Sequence, residues 1–200
     1  MQTQSGVEDQ SHRWKEDHER AWALVEAEDY SAALELYSHL AEAGSSVAHD
    51  VIGWMHLTGR GTAKDPGVAR LWFQKASEAG YSWGQYHLGY IAMLEGNFDV
   101  ARGWFEKAAS QGHTTAEYRL GVLYWLGQGV PADQERAYGH FNKAAEKGHV
   151  LARRDMLKIE SKRAPSVWLR LWCQVLLLAT FFKAIPIILK DPHDERLDLG

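Results

Sequence analysis

Hydrophobic residues recur at intervals of three and four along most of the chain, with polar residues between them, and this spacing is typical of amphipathic helices. The periodicity predicts helices that are joined by short polar or glycine-containing turns. The predicted spans are 12–27, 30–43, 46–58, 66–79, 82–94, 98–111, 114–126, 134–147 and 150–163. A chain built from short consecutive helices is expected to be all-α.

The helices fall into a repeat of 32 to 36 residues, marked by an alanine, an aromatic residue four positions later and a glycine seven positions after that. These positions hold Ala33, Tyr37 and Gly44; Ala69, Phe73 and Gly80; Ala101, Phe105 and Gly112; and Ala137, Phe141 and Gly148. Residues four apart share a helix face, so the alanine lets a neighbouring helix approach and the ring fills the space beside it. We therefore predict stacked helical hairpins, each ended by a left-handed glycine.

The first helix of each hairpin carries an aliphatic residue followed by glycine, at Ile52-Gly53, Leu88-Gly89 and Leu120-Gly121. Glycine inside a helix costs about 1 kcal/mol relative to alanine, so three in register predict close helix contact. The following loops differ in length, and the middle one is four residues shorter. Each loop ends in a predicted N-cap residue, and these residues are Asp65, Asn97 and Asp133.

The pattern of residues 116–148, with Leu120-Gly121, Gly127-Gln-Gly129, Asp133, Ala137, Phe141 and Gly148, resembles the Sel-one-like repeat (SLR), a relative of the tetratricopeptide repeat. The resemblance covers three copies in residues 46–149 and a degenerate first copy in 12–45. The middle copy departs from the pattern by its short loop and by Gly84 in the slot of Ala48 and Ala116. The resemblance implies a right-handed α-solenoid that binds partner proteins, as in proteins that assemble membrane complexes, quality-control machinery or polysaccharide-export systems.

A long apolar segment follows the repeats. Residues 150–164 are predicted to form a capping helix and a basic collar, and 166–190 a transmembrane or membrane-associated helix. The apolar stretch 167–189 is long enough, at roughly 33 Å as a helix, to cross a hydrocarbon core. Trp168 and Trp172 suit an interfacial belt, Arg170 can snorkel, and Lys183 near the middle is costly unless it is paired.

Two alternatives to a spanning helix remain open for this segment. A helix lying in the interface requires its polar residues to gather on one face. At 100° per residue, Thr180 and Lys183 point about 80° and 140° away from Arg170, which favours spanning. The third interpretation is a soluble protein in which this helix packs against the end of the solenoid.

Charge is distributed unevenly along the chain. Residues 1–149 hold 13 basic and 20 acidic side chains, a net −7; residues 150–190 hold 8 and 2, a net +6; and residues 191–200 hold 1 and 4, a net −3. The positive charge flanks the apolar segment rather than covering the repeats, which argues against nucleic-acid binding. It also predicts a single-pass protein with cytoplasmic repeats and an external acidic tail 191–200. The first thirty positions lack the apolar core of a signal peptide. Residues 1–11 are predicted to be disordered.

No group of residues indicates catalysis or cofactor binding. His49 and His56 could share a helix face but lack a third metal ligand, while His113 and His149 occupy a repeat slot. Cys173 is the only cysteine and lies among apolar residues. We therefore predict a non-enzyme with no metal, no cofactor and no small-molecule substrate, although an enzyme whose site is invisible in the sequence remains an alternative.

The residue after each helical glycine, and the residue three positions later, are mostly large and apolar. These partner-binding candidates are Trp54, Leu57, Tyr90, Met93, Val122 and Trp125. In the resembling family the first helices line the concave surface, so these side chains could bind a protein partner, because aromatic residues and methionine are favoured at interface cores. The alternative is that they pack one hairpin on the next.

Overall fold

The computed structural model describes residues 4–163 and 165–190, with side chains for 14–163 and 165–183. Within these ranges the protein consists of ten helices without a strand. They are α1 (Gln4–Glu26), α2 (Tyr30–Glu42), α3 (Ser46–Thr58), α4 (Pro66–Glu78), α5 (Ser82–Leu94), α6 (Phe98–Ser110), α7 (Thr114–Leu126), α8 (Gln134–Glu146), α9 (Val150–Arg163) and α10 (Val167–Lys190). The predicted all-α solenoid of helical hairpins is confirmed.

The helix boundaries agree with the sequence to within one residue from α2 to α9, but α1 starts earlier than predicted. It begins at Gln4 rather than at residue 12. Residues 7–13 contain neither proline nor glycine, so they can extend a helix that is already held by its packed part. Residues 1–3 and the predicted tail 191–200 lie outside the described residues.

The chain divides into two compact units, residues 1–91 and 92–200. In the first unit α1 packs on α2, α2 on α3 and α3 on α4. In the second unit α6 packs on α7, α7 on α8, α8 on α9 and α9 on α10. Within each unit these consecutive helices are thus neighbours in space, as in other repeat proteins.

The repeated small and aromatic residues form the core of each hairpin. The four repeat alanines are fully buried, and the four rings seven residues before each glycine are at most 2% exposed. A Cβ atom added to Gly53 would lie 2.7 Å from the Phe73 ring, and one added to Gly121 would lie 2.5 Å from the Phe141 ring. The helical glycines therefore make the close contacts that their register predicts.

Gly84, the departure in the middle repeat, has a local steric reason. A Cβ atom at this position would lie 2.7 Å from the Cβ of Ala76 and 2.9 Å from the carbonyl oxygen of Phe73. Because the start of α5 approaches the backbone of α4 this closely, the alanine of the other repeats does not fit here.

The helix ends follow the predicted capping pattern with one exception. Asp65 accepts hydrogen bonds from two backbone N–H groups at 2.9 and 3.0 Å, and Asp133 accepts two at 3.0 Å. Asn97 occupies the N-cap position of α6, as predicted, but its side chain makes no capping hydrogen bond. Its backbone angles do not explain this, because Asp29 caps α2 at nearly the same angles, φ −81° and ψ 68°. The repeat-ending glycines are left-handed, with φ between 81° and 91°.

The contact between glycine and ring can be tested with two alanine substitutions in one hairpin. Gly121→Ala should lower the free energy of unfolding by about 1–3 kcal/mol, because the new methyl group displaces the Phe141 ring. Gly139→Ala in α8 has no atom within 4 Å of its new Cβ, and it should raise the free energy of unfolding by up to about 1 kcal/mol. Urea unfolding measures both, and equal effects would contradict the proposed packing.

Candidate protein-interaction surface

Trp54, Leu57 and Tyr90, three of the candidate partner-binding residues, lie in the first unit and are half-buried. Trp54 directly follows Gly53 on α3 and packs at the edge of the core. Its ring centroid lies 6.4 Å from that of Tyr30, and the guanidinium carbon of Arg60 lies 4.9 Å from it. Trp54 is therefore partly core and partly open to contact.

Helix α5 carries the next two candidates. Tyr90 stacks on Tyr86, one turn earlier, with ring centroids 6.4 Å apart. Met93 is half-buried near the end of the helix and belongs to the second unit. Leu94, the last residue of α5, is 63% exposed.

Val122 and Trp125 on α7 complete the candidate set in the second unit. Both are half-buried and pack against a buried cluster that includes Phe141 and Ile159. The ammonium group of Lys162, from the last turn of α9, lies 5.9 Å from the Trp125 ring centroid. The next residue, Leu126, is 57% exposed. The end of α7 thus combines a supported ring with an open aliphatic side chain and a cation.

Sequence reasoning missed the two most exposed apolar residues of this region. Leu94 and Leu126 occupy the same repeat slot, 32 residues apart, directly after Met93 and Trp125. The sequence does show a leucine at the last position of the first helix in two repeats. The same position in the preceding repeat holds Thr58. That position is easily taken for the beginning of a loop.

A hydrogen-bonded pair, Glu117 on α7 and His140 on α8, joins these two helices. The carboxylate of Glu117, only 8% exposed, accepts a hydrogen bond from Nδ1 of His140 at 2.8 Å, and Lys143 lies 3.9 Å from it. The ring of Tyr124 stacks on His140 at 5.5 Å. Burial alone would raise the pKa of Glu117, but the hydrogen bond and charge of His140 and the nearby lysines hold that pKa below its usual value. The pair fixes α8 against α7.

His113 and His149 act as helix caps. They occupy the repeat position that Ser45 holds before α3. Ser45 accepts a hydrogen bond from the backbone of Ala48 through its hydroxyl oxygen. Nδ1 of His113 accepts from Ala116 at 3.2 Å, and Nδ1 of His149 accepts from Ala152 at 3.1 Å. A ring nitrogen that accepts carries no proton, so these caps require neutral imidazole.

His149 also packs against α7 through Tyr118. It is 1% exposed and stacks on Tyr118, with ring centroids 4.5 Å apart. Tyr118 belongs to the cluster on which Val122 and Trp125 pack, and its hydroxyl donates to Asp155 at 3.2 Å. Burial, with the charge of nearby Arg119, lowers the pKa of His149 to about 4, although Asp155 acts in the opposite direction.

The predicted membrane residues lie on α10, where Trp168, Arg170, Trp172 and Lys183 are all exposed. Searched over its described residues, the protein contains no helix with the length and apolar character needed to cross a membrane. The same residues hold no group of three or more side chains suited to a metal ion. The predicted lack of catalysis, cofactors and substrates stays a prediction.

Comparison with known proteins agrees with the repeat geometry. The Sel1 repeat matches residues 17–45, 47–81, 84–113 and 114–149. A Sel1 repeat protein from Oxalobacter formigenes is similar in structure, with a TM-score of 0.65 and 27% identity over 72% of this chain and 61% of that one. A protective antigen of uropathogenic Escherichia coli with an SLR fold also has a TM-score of 0.65, with 26% identity over 78% of this chain and 34% of that one.

The chain therefore spans less than two thirds of the length of either structural relative. No curated protein sequence matches it. Repeats of this kind indicate a protein-interaction scaffold.

The buried cap at His149 predicts a specific pH dependence. Because its pKa is about 4 in the folded protein and near 6.5 when unfolded, the unfolded state binds more protons between these values. The stabilisation that neutral His149 contributes is fully present above pH 6.5. It decreases by about 3 kcal/mol as the pH drops to 4. His149→Asn keeps a capping oxygen but does not titrate. The free energy of unfolding of this variant should therefore depend less on pH between 6.5 and 4.

Denaturation measured from pH 7.5 to 4 compares the slopes of wild type, His149→Asn and the exposed-site control His39→Asn. The control should retain the wild-type slope, because His39 is exposed. An unchanged slope in His149→Asn would disprove the buried neutral cap.

Proposed function

Because this chain belongs to the Sel1 repeat family, we propose that it is a membrane-tethered scaffold. Its repeats bind a partner protein and help to assemble or regulate a membrane-associated complex. The proposed partner is another protein rather than a nucleic acid or a small molecule, and the scaffold performs no catalysis itself. The residues proposed for binding are Trp54, Leu57, Tyr90, Met93, Val122 and Trp125, extended by Leu94 and Leu126.

The end of α7 is the observation that carries this proposal. Leu126 is open to solvent directly beside Trp125, whose ring is held by the core and approached by Lys162. An aromatic ring that is already fixed loses little conformational freedom when a partner covers it. Such a supported anchor surrounded by apolar and charged side chains has the composition of an interface core and rim.

The first unit supports the proposal in a different way. Trp54 lies between Tyr30 and Arg60, which restrict its side chain and leave it half-buried. Arg60 stacks on both rings at 4.9–5.3 Å and can also offer hydrogen-bond donors to a partner. Aromatic and arginine side chains in one group are typical of binding hot spots.

The membrane tether is proposed from α10 and the basic residues around it. The exposed Trp168 and Trp172 and the positive segment 150–190 suit a membrane boundary with anionic lipid. By the same charge argument we propose that the repeats face the cytoplasm.

A second candidate is a soluble regulatory subunit in which α10 packs on protein. The contact between α9 and α10 favours it. That contact uses one side of α10 and leaves most of its apolar residues exposed, so the soluble candidate requires a further protein surface to cover them.

Photo-crosslinking can test the proposed binding surface in cells. A benzoylphenylalanine residue at position 126 should form specific adducts with a partner, because this side chain is exposed beside the supported Trp125 ring. The matched control is the same residue at position 71, where Leu71 is 59% exposed on α4. Leu126→Glu should also reduce capture of the crosslinked partner by about tenfold or more, as expected for a hot-spot neighbour.

Thermal unfolding of each variant separates lost binding from lost folding. Adducts at position 71 but not at 126, with all proteins folded, would contradict the assignment of this surface.

A further inference from the structure

Helix α10 packs against α9 with a narrow stripe of its surface. Cys173 and Thr180 are buried, and Leu176 and Leu177 between them are half-buried. These residues are spaced by three, one and three positions, so they lie on one side of the helix. The hydroxyl of Thr180 donates to the carbonyl oxygen of Leu176 at 2.8 Å, which satisfies the polar group on this covered side.

The opposite side of α10 is apolar and uncovered. Within residues 167–183, whose side chains the structure describes, the large apolar side chains on this side are 46% (Leu171) to 81% (Trp168) exposed. The residues at its centre are Trp168, Leu171, Val175, Leu178 and Phe182. A contiguous apolar patch of this size marks a binding surface, since single exposed apolar residues are normal but a whole helix face is not.

The polar residues of α10 within 167–183 lie outside this face. At 100° per residue, Gln174 and Lys183 point in opposite directions, one at each border. Arg170 lies between Gln174 and the covered stripe, and Thr180 belongs to the stripe itself. The polar residues thus lie outside the exposed apolar face, although they do not gather on one side of the helix.

This arrangement removes the sequence-based objection to a helix that lies in the membrane surface. An isolated interfacial helix needs a polar face because its second side meets water. In α10 the second side meets α9, so it can be apolar as well. The polar surface is supplied by α9, whose Arg153, Lys158 and Lys162 are exposed.

Building on the proposed membrane tether, we propose that α10 lies in the plane of an anionic lipid surface, with its apolar face in the bilayer and α9 between it and water. The charge around α10 favours anionic lipid as the partner of this face. Residues 161–183 contain Lys162, Arg163, Arg170 and Lys183 and no aspartate or glutamate. Long basic side chains at the borders of an apolar helix face can reach lipid phosphates while their stems stay in the interface.

Purified full-length protein mixed with vesicles provides the first test. It should cosediment with vesicles of phosphatidylcholine and phosphatidylglycerol much more than with phosphatidylcholine alone, and added salt should weaken binding. Val175→Glu at the centre of the face should weaken binding by about tenfold or more. Leu71→Glu, an equally exposed site on α4, should bind like wild type, and circular dichroism confirms that both variants are folded.

The second test distinguishes an in-plane helix from a spanning one in cell membranes. Carbonate should release the protein, and a C-terminal tag should be digested from the same side as the repeats. Resistance to carbonate with a protected tag would overturn the in-plane arrangement and leave the membrane-tethered scaffold intact.

Absence of vesicle binding would overturn both the in-plane arrangement and the tether. If Val175→Glu then converts a dimer to a monomer in sedimentation, a second copy of the chain covers the face instead. The scaffold assignment, tested separately by crosslinking at position 126, does not depend on either result.

Discussion

The contact between a glycine in the first helix of a hairpin and an aromatic ring in the second determines the rest of this structure. Gly53 meets Phe73 and Gly121 meets Phe141 at distances that leave no room for a methyl group. The buried alanine four residues before each ring lets the backbones approach in the same way. Hairpins packed this closely cover only one of their faces, so each depends on the next for the remainder of its core.

The same contact fixes where the candidate binding residues lie. Trp54 and Val122 directly follow the contacting glycines. They therefore lie at the edge of the core beside the buried ring and are half-buried. Binding a protein partner and packing one hairpin on the next are therefore not exclusive roles for these residues. Trp54 and Trp125 are held by their hairpins and still present part of each ring, whereas Leu94 and Leu126 at the helix ends extend further into solvent.

Much of this fold could be predicted from spacing alone, because each helix end is specified by residues within one turn of it. The exceptions depend on information from outside the turn. Asn97 has the right side chain and position for a cap but makes no capping hydrogen bond, although Asp29 makes one at nearly the same backbone angles. His113 and His149 were recognisable as occupants of a repeat slot, but their capping role depends on imidazole tautomers that only the packed structure defines.

The arrangement of α10 was the least predictable feature. Its sequence is apolar on every side, so periodicity could not reveal which stripe would be covered. For a helix that stands alone, the angles between its polar residues argue against an interfacial position. With α9 packed on the side of Cys173 and Thr180, the same angles describe a helix with one protein-facing side and one exposed apolar side.

A spin-label scan of residues 167–183 on membranes tests this arrangement most directly. Labels are attached one at a time to single cysteines in a Cys173→Ser background, and oxygen accessibility measures lipid contact. If α10 lies in the membrane plane, oxygen accessibility should follow a helical periodicity, with maxima near Leu171, Val175, Leu178 and Phe182 and minima near positions 173, 177 and 180. Lipid contact that is uniform around the helix and deepest at its middle would contradict it.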